Sequence, residues 1–208
     1  MIIAVDGPTA SGKGTISKAL AAHYRLPFLD TGLLYRAVGR QVAVNGGEAG
    51  NPADALAACN FDDSLLDDPV LRNEEVGGLA SRVSVHPAVR AALNQRQVDF
   101  ASQLGGAVLD GRDIGTVIAP HADVKLFVTA APEVRARRRY EEMLSRGLDV
   151  DYENILADIR LRDERDSGRA AAPLKAAADA ILLDTGDLTI GAAVQAAIAA
   201  VEYKLRGS

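Results

Sequence analysis

The sequence predicts an α/β fold in which a parallel sheet of five strands is flanked by helices, giving a three-layer domain. Short apolar runs recur along the chain and have the length of strands that are buried on both faces. Longer segments of helical pattern separate these runs, and strands that alternate with helices form parallel sheets. The first apolar run ends in a glycine-rich turn that opens directly into a helix.

The individual elements follow from the same patterns. The predicted strands span residues 2–5, 27–29, 107–109, 124–128 and 180–183. The predicted helices span residues 13–23, 32–44, 88–104, 132–146, 152–166 and 190–204. Thr31 and Thr189 precede two of these helices as candidate N-caps, and Pro132 suits the first position of another. Residues 45–76 and 147–170 do not fit the alternation, so we expect them to be excursions from the core.

Composition excludes several classes of protein. The 208 residues carry a net charge of −5, so no overall positive field favours DNA or RNA. The only cysteine, Cys59, cannot form an internal disulfide, which suggests a reducing compartment. No secretory leader is recognised, and no apolar stretch reaches the ~20 residues of a membrane span. We therefore expect a cytoplasmic protein, and a monomer because no hydrophobic interface is evident.

The glycine-rich turn is a candidate phosphate-binding loop. It matches G-x-x-x-x-G-K, and its residues are Gly7, Pro8, Thr9, Ala10, Ser11, Gly12, Lys13, Gly14 and Thr15. Between a strand and a helix, such a loop turns backbone N–H groups and a helix N-terminus towards the phosphates of a nucleotide. Lys13 adds a point charge for the β- and γ-phosphates. Gly14 stands where the usual motif has Ser or Thr, so Thr15 is expected to contact phosphate or a metal-bound water.

The loop by itself fits kinases, GTPases and motor ATPases. The chain contains no Asn-Lys-x-Asp sequence, which would read guanine, and no Asp-x-x-Gly switch sequence. It is also short for a motor domain. We therefore expect a small-molecule kinase that uses ATP and Mg²⁺, with no metal ligand assigned directly. Whether the acceptor is shikimate, a nucleoside monophosphate or another small molecule stays open, and so does the alternative of a non-catalytic nucleotide-binding regulator.

Polar residues after two further strands are expected at the same edge of the sheet, where ligands of open α/β sheets bind. Thr31 and Arg36 follow the second strand, and a guanidinium can bind phosphate through two parallel hydrogen bonds. Arg112 and Asp113 follow the third strand. The alternatives are that Arg36 is an ordinary surface arginine and that Arg112 and Asp113 only pair with each other.

A third group of charged residues spans 160–169. On a continuous helix, Arg162, Asp166 and Arg169 would lie along one face at positions i, i+4 and i+7. Such a face is usually solvated and crossed by ion pairs. In a kinase, however, arginines on a closing lid also stabilise the charge of the transferred phosphoryl group.

With these motifs assembled, the chain resembles the bacterial cytidylate kinases of the nucleoside monophosphate kinase superfamily, nearly from end to end. The motifs are Asp6-Gly-Pro with Gly-Lys-Gly-Thr15, Asp30-Thr-Gly with Tyr35-Arg36, Ser81-Arg-Val-Ser-Val-His-Pro with Val89-Arg90, Asp110-Gly-Arg-Asp-Ile-Gly-Thr116, and Arg162-Asp-Glu-Arg-Asp with Arg169-Ala-Ala-Ala-Pro173. The resemblance implies a P-loop fold that transfers the γ-phosphate of ATP to CMP or dCMP, giving CDP or dCDP and ADP, in pyrimidine nucleotide metabolism. It also implies one domain over residues 1–208, with a core of 1–30, 105–146 and 171–208, a CMP-binding region of 31–104 and a lid of 147–170.

The resemblance further implies a role for each matching residue. Thr31 lies on the substrate side, and the other substrate-binding residues are Ser81, Arg90 and Asp113 for the cytosine base, Arg36, Arg112 and Arg169 for the acceptor phosphate, and Arg162 and Asp166 for the sugar hydroxyls. The expected catalytic residues are Lys13, Arg112, Arg162 and Arg169. Because the attacking oxygen is already a phosphate oxyanion, alignment and charge neutralisation suffice without a strong base. One departure is that the stretch from Arg36 to Ser81 is shorter than is usual in the family and lacks the pattern of a small antiparallel sheet.

Overall fold

The computed structural model describes residues 1–207, and its strands form one five-stranded sheet. The strands are β1 (Ile2–Asp6), β2 (Phe28–Asp30), β3 (Ala107–Gly111), β4 (Val124–Thr129) and β5 (Ile181–Asp184). Their order is β2-β3-β1-β4-β5, and β1 pairs in parallel with β3 and β4, as β4 does with β5. The predicted α/β fold with a five-stranded parallel sheet is confirmed.

The strand order determines where a ligand can bind. From β1 the chain crosses past β3 to reach β2, and from β3 it crosses β1 to reach β4. The order therefore reverses at β1, and open α/β sheets bind their ligands beyond the carboxyl ends of the strands at such a reversal. The candidate phosphate-binding loop follows β1 directly.

Eight α-helices complete the described chain. They are α1 (Lys13–Tyr24), α2 (Thr31–Val44), α3 (Pro52–Ala57), α4 (Glu74–Val83), α5 (Pro87–Ala101), α6 (Pro132–Ser145), α7 (Tyr152–Ser167) and α8 (Ile190–Arg206). Six of them were predicted close to these bounds, and the short elements expected within 45–76 include α3 and two 3-10 turns, Asp63–Asp67 and Pro69–Arg72. Helix α4 was not predicted. Its two glycines, Gly77 and Gly78, lower its helix propensity, and packing of its apolar face compensates.

The structure confirms the predictions for Thr189 and Pro132 at helix starts, but not the prediction for Thr31. Thr189 caps α8, since its hydroxyl accepts a hydrogen bond from the N–H of Ala192 at 3.2 Å. Pro132 occupies the start of α6 as predicted. The prediction for Thr31 was wrong, because α2 begins at Thr31 itself and the extended residue before it is Asp30.

The chain forms two compact units, one of residues 30–100 and one of residues 1–29 with the segment from Ala101 to the C-terminus. The larger unit has a core in which side chains of the sheet pack with α1 and α8, and Ile3, Val5 and Val108 are fully buried there. The smaller unit has its own core, in which Leu34 and Val38 of α2 pack with Val83 of α4. Its described elements after Asp30 are all helical. Within residues 1–207, no helix is both long and apolar enough to cross a membrane.

Candidate active site

The phosphate-binding loop is a tight turn that depends on two glycines. A Cβ atom on Gly7 would lie 2.0 Å from the backbone oxygen of Val128, so only glycine lets the loop pass so close to β4. Gly12 has a φ of 86° and stands immediately before α1. The first N–H groups of α1 therefore lie at the loop, where they can bind an anion.

Lys13 and Asp110 lie side by side at this edge of the sheet. The Lys13 ammonium is 3.7 Å from a carboxylate oxygen of Asp110, which is buried at the end of β3, and 3.4 Å from the carbonyl oxygen of Pro8. A Cβ atom on Gly14 would lie 3.3 Å from Asp110 Oδ2. A side chain at this position would therefore require the Asp110 carboxylate to shift by a few tenths of an ångström.

A buried carboxylate, Asp166, brings two of the predicted arginines together. Arg112 donates from Nε to Asp166 Oδ2 at 2.8 Å, and Arg169 pairs with the other oxygen. Burial alone would raise the pKa of Asp166, but the charges of Arg112 and Arg169, with a contribution from Lys13, outweigh it and hold the pKa below its usual range. The ion pair of Arg112 thus joins residues 54 positions apart in the sequence.

Arg169 does not lie on a helix face, so this prediction was wrong. Helix α7 ends at Ser167, where Gly168 donates its N–H to the carbonyl of Glu164 at 2.8 Å. Arg169 returns to Asp166 from the loop that follows. Arg162 lies within α7 as predicted, is buried, and pairs with Asp158 at 2.8 Å.

Asp6 organises the turn that carries Arg112 and Asp113. It stands at the end of β1, and its two carboxylate oxygens accept the N–H groups of Ile114 and Gly115, each at 2.8 Å. Both Asp6 and Asp113 are buried. No role was predicted for Asp6, although a charged residue that ends an otherwise apolar strand was an available signal.

Asp6 is expected to make the stability of the protein depend on pH. Burial raises its pKa from 3.8 to about 6, the N–H groups of Gly115 and Ile114 oppose this rise, and the charges of Asp113 and Asp110 add to it. Across this window the folded protein keeps a proton that the unfolded chain has lost, so stability declines as the pH rises. A shift of about two units corresponds to roughly 3 kcal/mol.

The variant Asp6→Asn removes this titration and tests the expectation. In urea unfolding, the wild-type free energy of unfolding should fall relative to that of the variant by roughly 3 kcal/mol from about pH 3 to about pH 7. The difference should be constant at higher pH. If the free energies of unfolding of wild type and Asp6→Asn changed in parallel with pH, the raised pKa of Asp6 would be contradicted.

Thr185 is a further contact of the loop that the sequence analysis missed. Its hydroxyl lies 3.1 Å from the carbonyl oxygen of Ser11 and 3.2 Å from that of Thr129, and it accepts a hydrogen bond from Arg138 at 3.1 Å. Thr185 directly follows β5, as the predicted polar residues follow β2 and β3. Because residues in this position lie at the ligand-binding edge of the sheet, the sequence could have identified Thr185 as well.

In the smaller unit, main-chain contacts hold the predicted arginines in place. Arg36 donates from Nη1 to the carbonyl oxygens of Leu71 and Asn73, at 2.7 and 2.9 Å. Arg90 is only 5% exposed, and its guanidinium carbon lies 5.7 Å from the ring centre of Tyr35. A buried arginine over an aromatic ring is not part of a solvated surface.

The other predicted residues of this unit lie on its helices. Thr31 is buried at the first position of α2. Ser81 lies on α4, half-buried, and its carbonyl oxygen accepts a hydrogen bond from the Ser84 hydroxyl at 3.0 Å. Arg90 Nη1 reaches the carbonyl oxygen of Ser84 at 3.5 Å, so the turn after α4 contacts both Ser81 and Arg90.

Comparison with known proteins identifies the family of the chain. A family model described as cytidylate kinase matches residues 3–203. A cytidylate kinase of Xanthobacter autotrophicus is 59% identical over 207 residues, which is 100% of both chains. A cytidylate kinase of Rhodopseudomonas palustris is 56% identical over 97% of this chain and 96% of its own.

A solved structure supports the fold alone. An uncharacterized protein from Eubacterium ventriosum superimposes with a TM-score of 0.59 at 17% identity, over 98% of both chains. The family follows instead from the full-length sequence matches. The chain belongs to the cytidylate kinase family.

Proposed function

We propose that this protein transfers the γ-phosphate of ATP to CMP and dCMP, giving ADP with CDP or dCDP. The observation that carries the proposal is the pair of arginines held on Asp166, Arg112 and Arg169, together with Lys13 of the phosphate-binding loop, whose charge also acts on Asp166. Cationic groups in this arrangement match the charge of a phosphoryl group in transfer. The relatives that match over their full length are named cytidylate kinases.

The ATP triphosphate fits the loop from Gly7 to Thr15. The start of α1 supplies N–H donors, and Lys13 reaches over the loop towards the position of the outer phosphates. Mg²⁺ in kinases is held by substrate phosphates and few protein groups, and the exposed Thr15 and the carboxylate of Asp110 are suitable oxygen donors here. When bound with ATP, the ion supplies further neutralisation of phosphate charge.

Asp166 prepares the arginines for the reaction. It fixes the guanidinium groups of Arg112 and Arg169 before substrate arrives, so little ordering is needed in the transition state. The acceptor is an oxyanion, and the arginines neutralise the charge that accumulates as the two phosphates approach. No side chain has to remove a proton.

We propose that the acceptor residues have the roles that the resemblance implies. They are Ser81, Arg90 and Asp113 for the base, Arg36, Arg112 and Arg169 for the phosphate, Arg162 and Asp166 for the sugar, and Thr31 on the substrate side. The tethered Nη1 atom of Arg36 and the burial of Arg90 support this, because each guanidinium is oriented in advance. A cytoplasmic location is proposed with this function, since ATP and CMP are cytoplasmic metabolites. The monomeric state stays a prediction.

A panel of acceptors tests the function. ADP release from MgATP is measured with CMP, dCMP, UMP, AMP and shikimate in separate reactions. CMP and dCMP should give the highest kcat/KM. An active rival beside inert CMP would refute the proposal, and ATP binding without stimulation by any acceptor would indicate a nucleotide-binding regulator.

Arg90→Met is expected to weaken CMP selectively. The KM for CMP should rise by about tenfold or more while the KM for ATP changes by less than about twofold, because a charged hydrogen bond is lost only on the acceptor side. Arg96→Met is the matched control. Arg96 lies on the same helix, is 40% exposed, and also sits near an aromatic ring, that of Phe61 at 6.0 Å. Equal effects on both substrates would remove Arg90 from the acceptor side.

A further inference from the structure

Arg135 of α6 joins three elements through one buried side chain. It is only 2% exposed. Its Nε donates to the carbonyl oxygen of Ala130 at 2.8 Å, just after β4. Its Nη1 donates to the carbonyl oxygen of Thr9 in the phosphate-binding loop at 3.1 Å. The guanidinium also forms two bonds with Asp163 of α7, at 3.1 and 2.5 Å.

A second contact joins the same loop to the same helices. Ala10 has a φ of 57°, a left-handed conformation that L side chains disfavour. Its methyl group packs against an apolar cluster of Ala136 from α6 with Leu156 and Ile159 from α7. Such a conformation persists where surrounding contacts hold it. The loop is thus held on adjacent residues, Thr9 by a hydrogen bond and Ala10 by packing.

Helix α7 connects these contacts of the loop with Arg112 and Arg169, the arginines held on Asp166. Asp163 follows Arg162 directly and precedes Asp166 by less than one turn. Because a helix is stiff over such a distance, the position of Asp163 also determines where Arg162 and Asp166 lie. Asp166 in turn holds Arg112 and Arg169.

We propose that Arg135, together with Asp163, is a positioning pair for phosphoryl transfer, which keeps α7 and its charged residues in register with the phosphate-binding loop. The inference rests on the proposed kinase function. A second ion pair joins the same two helices, Glu133 with Arg160 at 2.7 Å, but the two side chains are 53% and 58% exposed. Exposed pairs contribute little, so this pair is the matched control.

The variants Arg135→Met and Arg160→Gln distinguish the effect of the buried pair from that of the exposed pair. Arg135→Met should lower kcat about 30- to 100-fold and leave the KM for CMP within about threefold, because misplaced groups slow transfer more than they weaken acceptor binding. Arg160→Gln should retain kcat within about twofold. Asp163→Asn should also lower kcat, and the double variant should lose less than the product of the two single losses. Equal losses in the exposed pair, or an unchanged kcat in Arg135→Met, would overturn the proposal.

Ala10→Gly provides the test if Arg135→Met fails to fold. Glycine adopts the left-handed conformation without strain, so the fold is kept while the methyl contact with the apolar cluster of α6 and α7 is lost. Its kcat should fall about 3- to 10-fold at an unchanged melting temperature. An undiminished kcat in this variant would also overturn the proposal.

Hydrogen exchange tests the attachment independently of the activity. Amides 162–166 of α7 should exchange faster in the Ala10→Gly variant than in wild type, and unchanged protection would contradict the coupling. This measurement needs no acceptor. If the wild type proved inert towards CMP, the proposed function would fail while the attachment could still be judged.

Discussion

Replacing Lys13 by methionine is expected to lower kcat about a thousandfold while the KM for CMP changes by less than about threefold. Lys13 is the cation of the phosphate-binding loop, and its ammonium lies 3.7 Å from the buried Asp110. Its charge is needed most when negative charge shifts towards the leaving phosphate, which affects the transition state more than the bound acceptor.

The control for Lys13 lies on the same helix. Lys18 is exposed on α1, so Lys18→Met removes an equal charge from the protein but not from the loop. Its kcat should stay within about twofold of wild type. Steady-state ADP release with saturating ATP measures both variants. A Lys13→Met enzyme that kept a tenth or more of the wild-type kcat would exclude this role for the lysine.

Asp166→Asn is expected to lower kcat/KM about a hundredfold and to destabilise the fold by about 3 kcal/mol. Asparagine has the same size but no charge, and only one oxygen to accept hydrogen bonds. Arg112 and Arg169 would lose the carboxylate that holds them, and Arg169 is only 6% exposed. Breaking a buried ion pair from one side is costly because the remaining charge loses its compensation.

The stability effect of Asp166 has a defined pH dependence. The arginines hold the folded pKa below its usual range, so the stabilisation is present above the unfolded pKa of about 4 and is lost as the pH falls through the folded value. Urea unfolding should therefore show wild type and Asp166→Asn converging in acid. Glu164→Gln, an exposed change on the same helix, should follow the wild-type profile. Profiles of wild type and Asp166→Asn that stay parallel into acid would contradict the ion-pair account.

The local parts of the structure were predictable from the sequence. Apolar runs such as residues 2–5 and 124–128 indicated buried strands, and Gly7 and Gly12 indicated the tight turn between β1 and α1. These features depend on backbone preferences and on periodicity, which are properties of neighbouring residues. Helix α4 was missed because its glycines oppose helix formation locally and its stability comes from packing.

The phosphate-binding loop shows most clearly which features the sequence determines and which the tertiary structure decides. Its residues, the strand before it and the helix after it were determined by the sequence alone, because strand pattern, glycine conformation and helix start are local. The sequence also named the arginines, through the resemblance of whole motifs. Tertiary structure decided which groups hold them: Asp166 binds Arg112 over 54 positions, Asp6 holds Ile114 over 108, and Arg135 holds Thr9 over 126. A charged side chain has many partners of opposite charge along a chain, and only the packing of distant elements brings one of them within bonding distance.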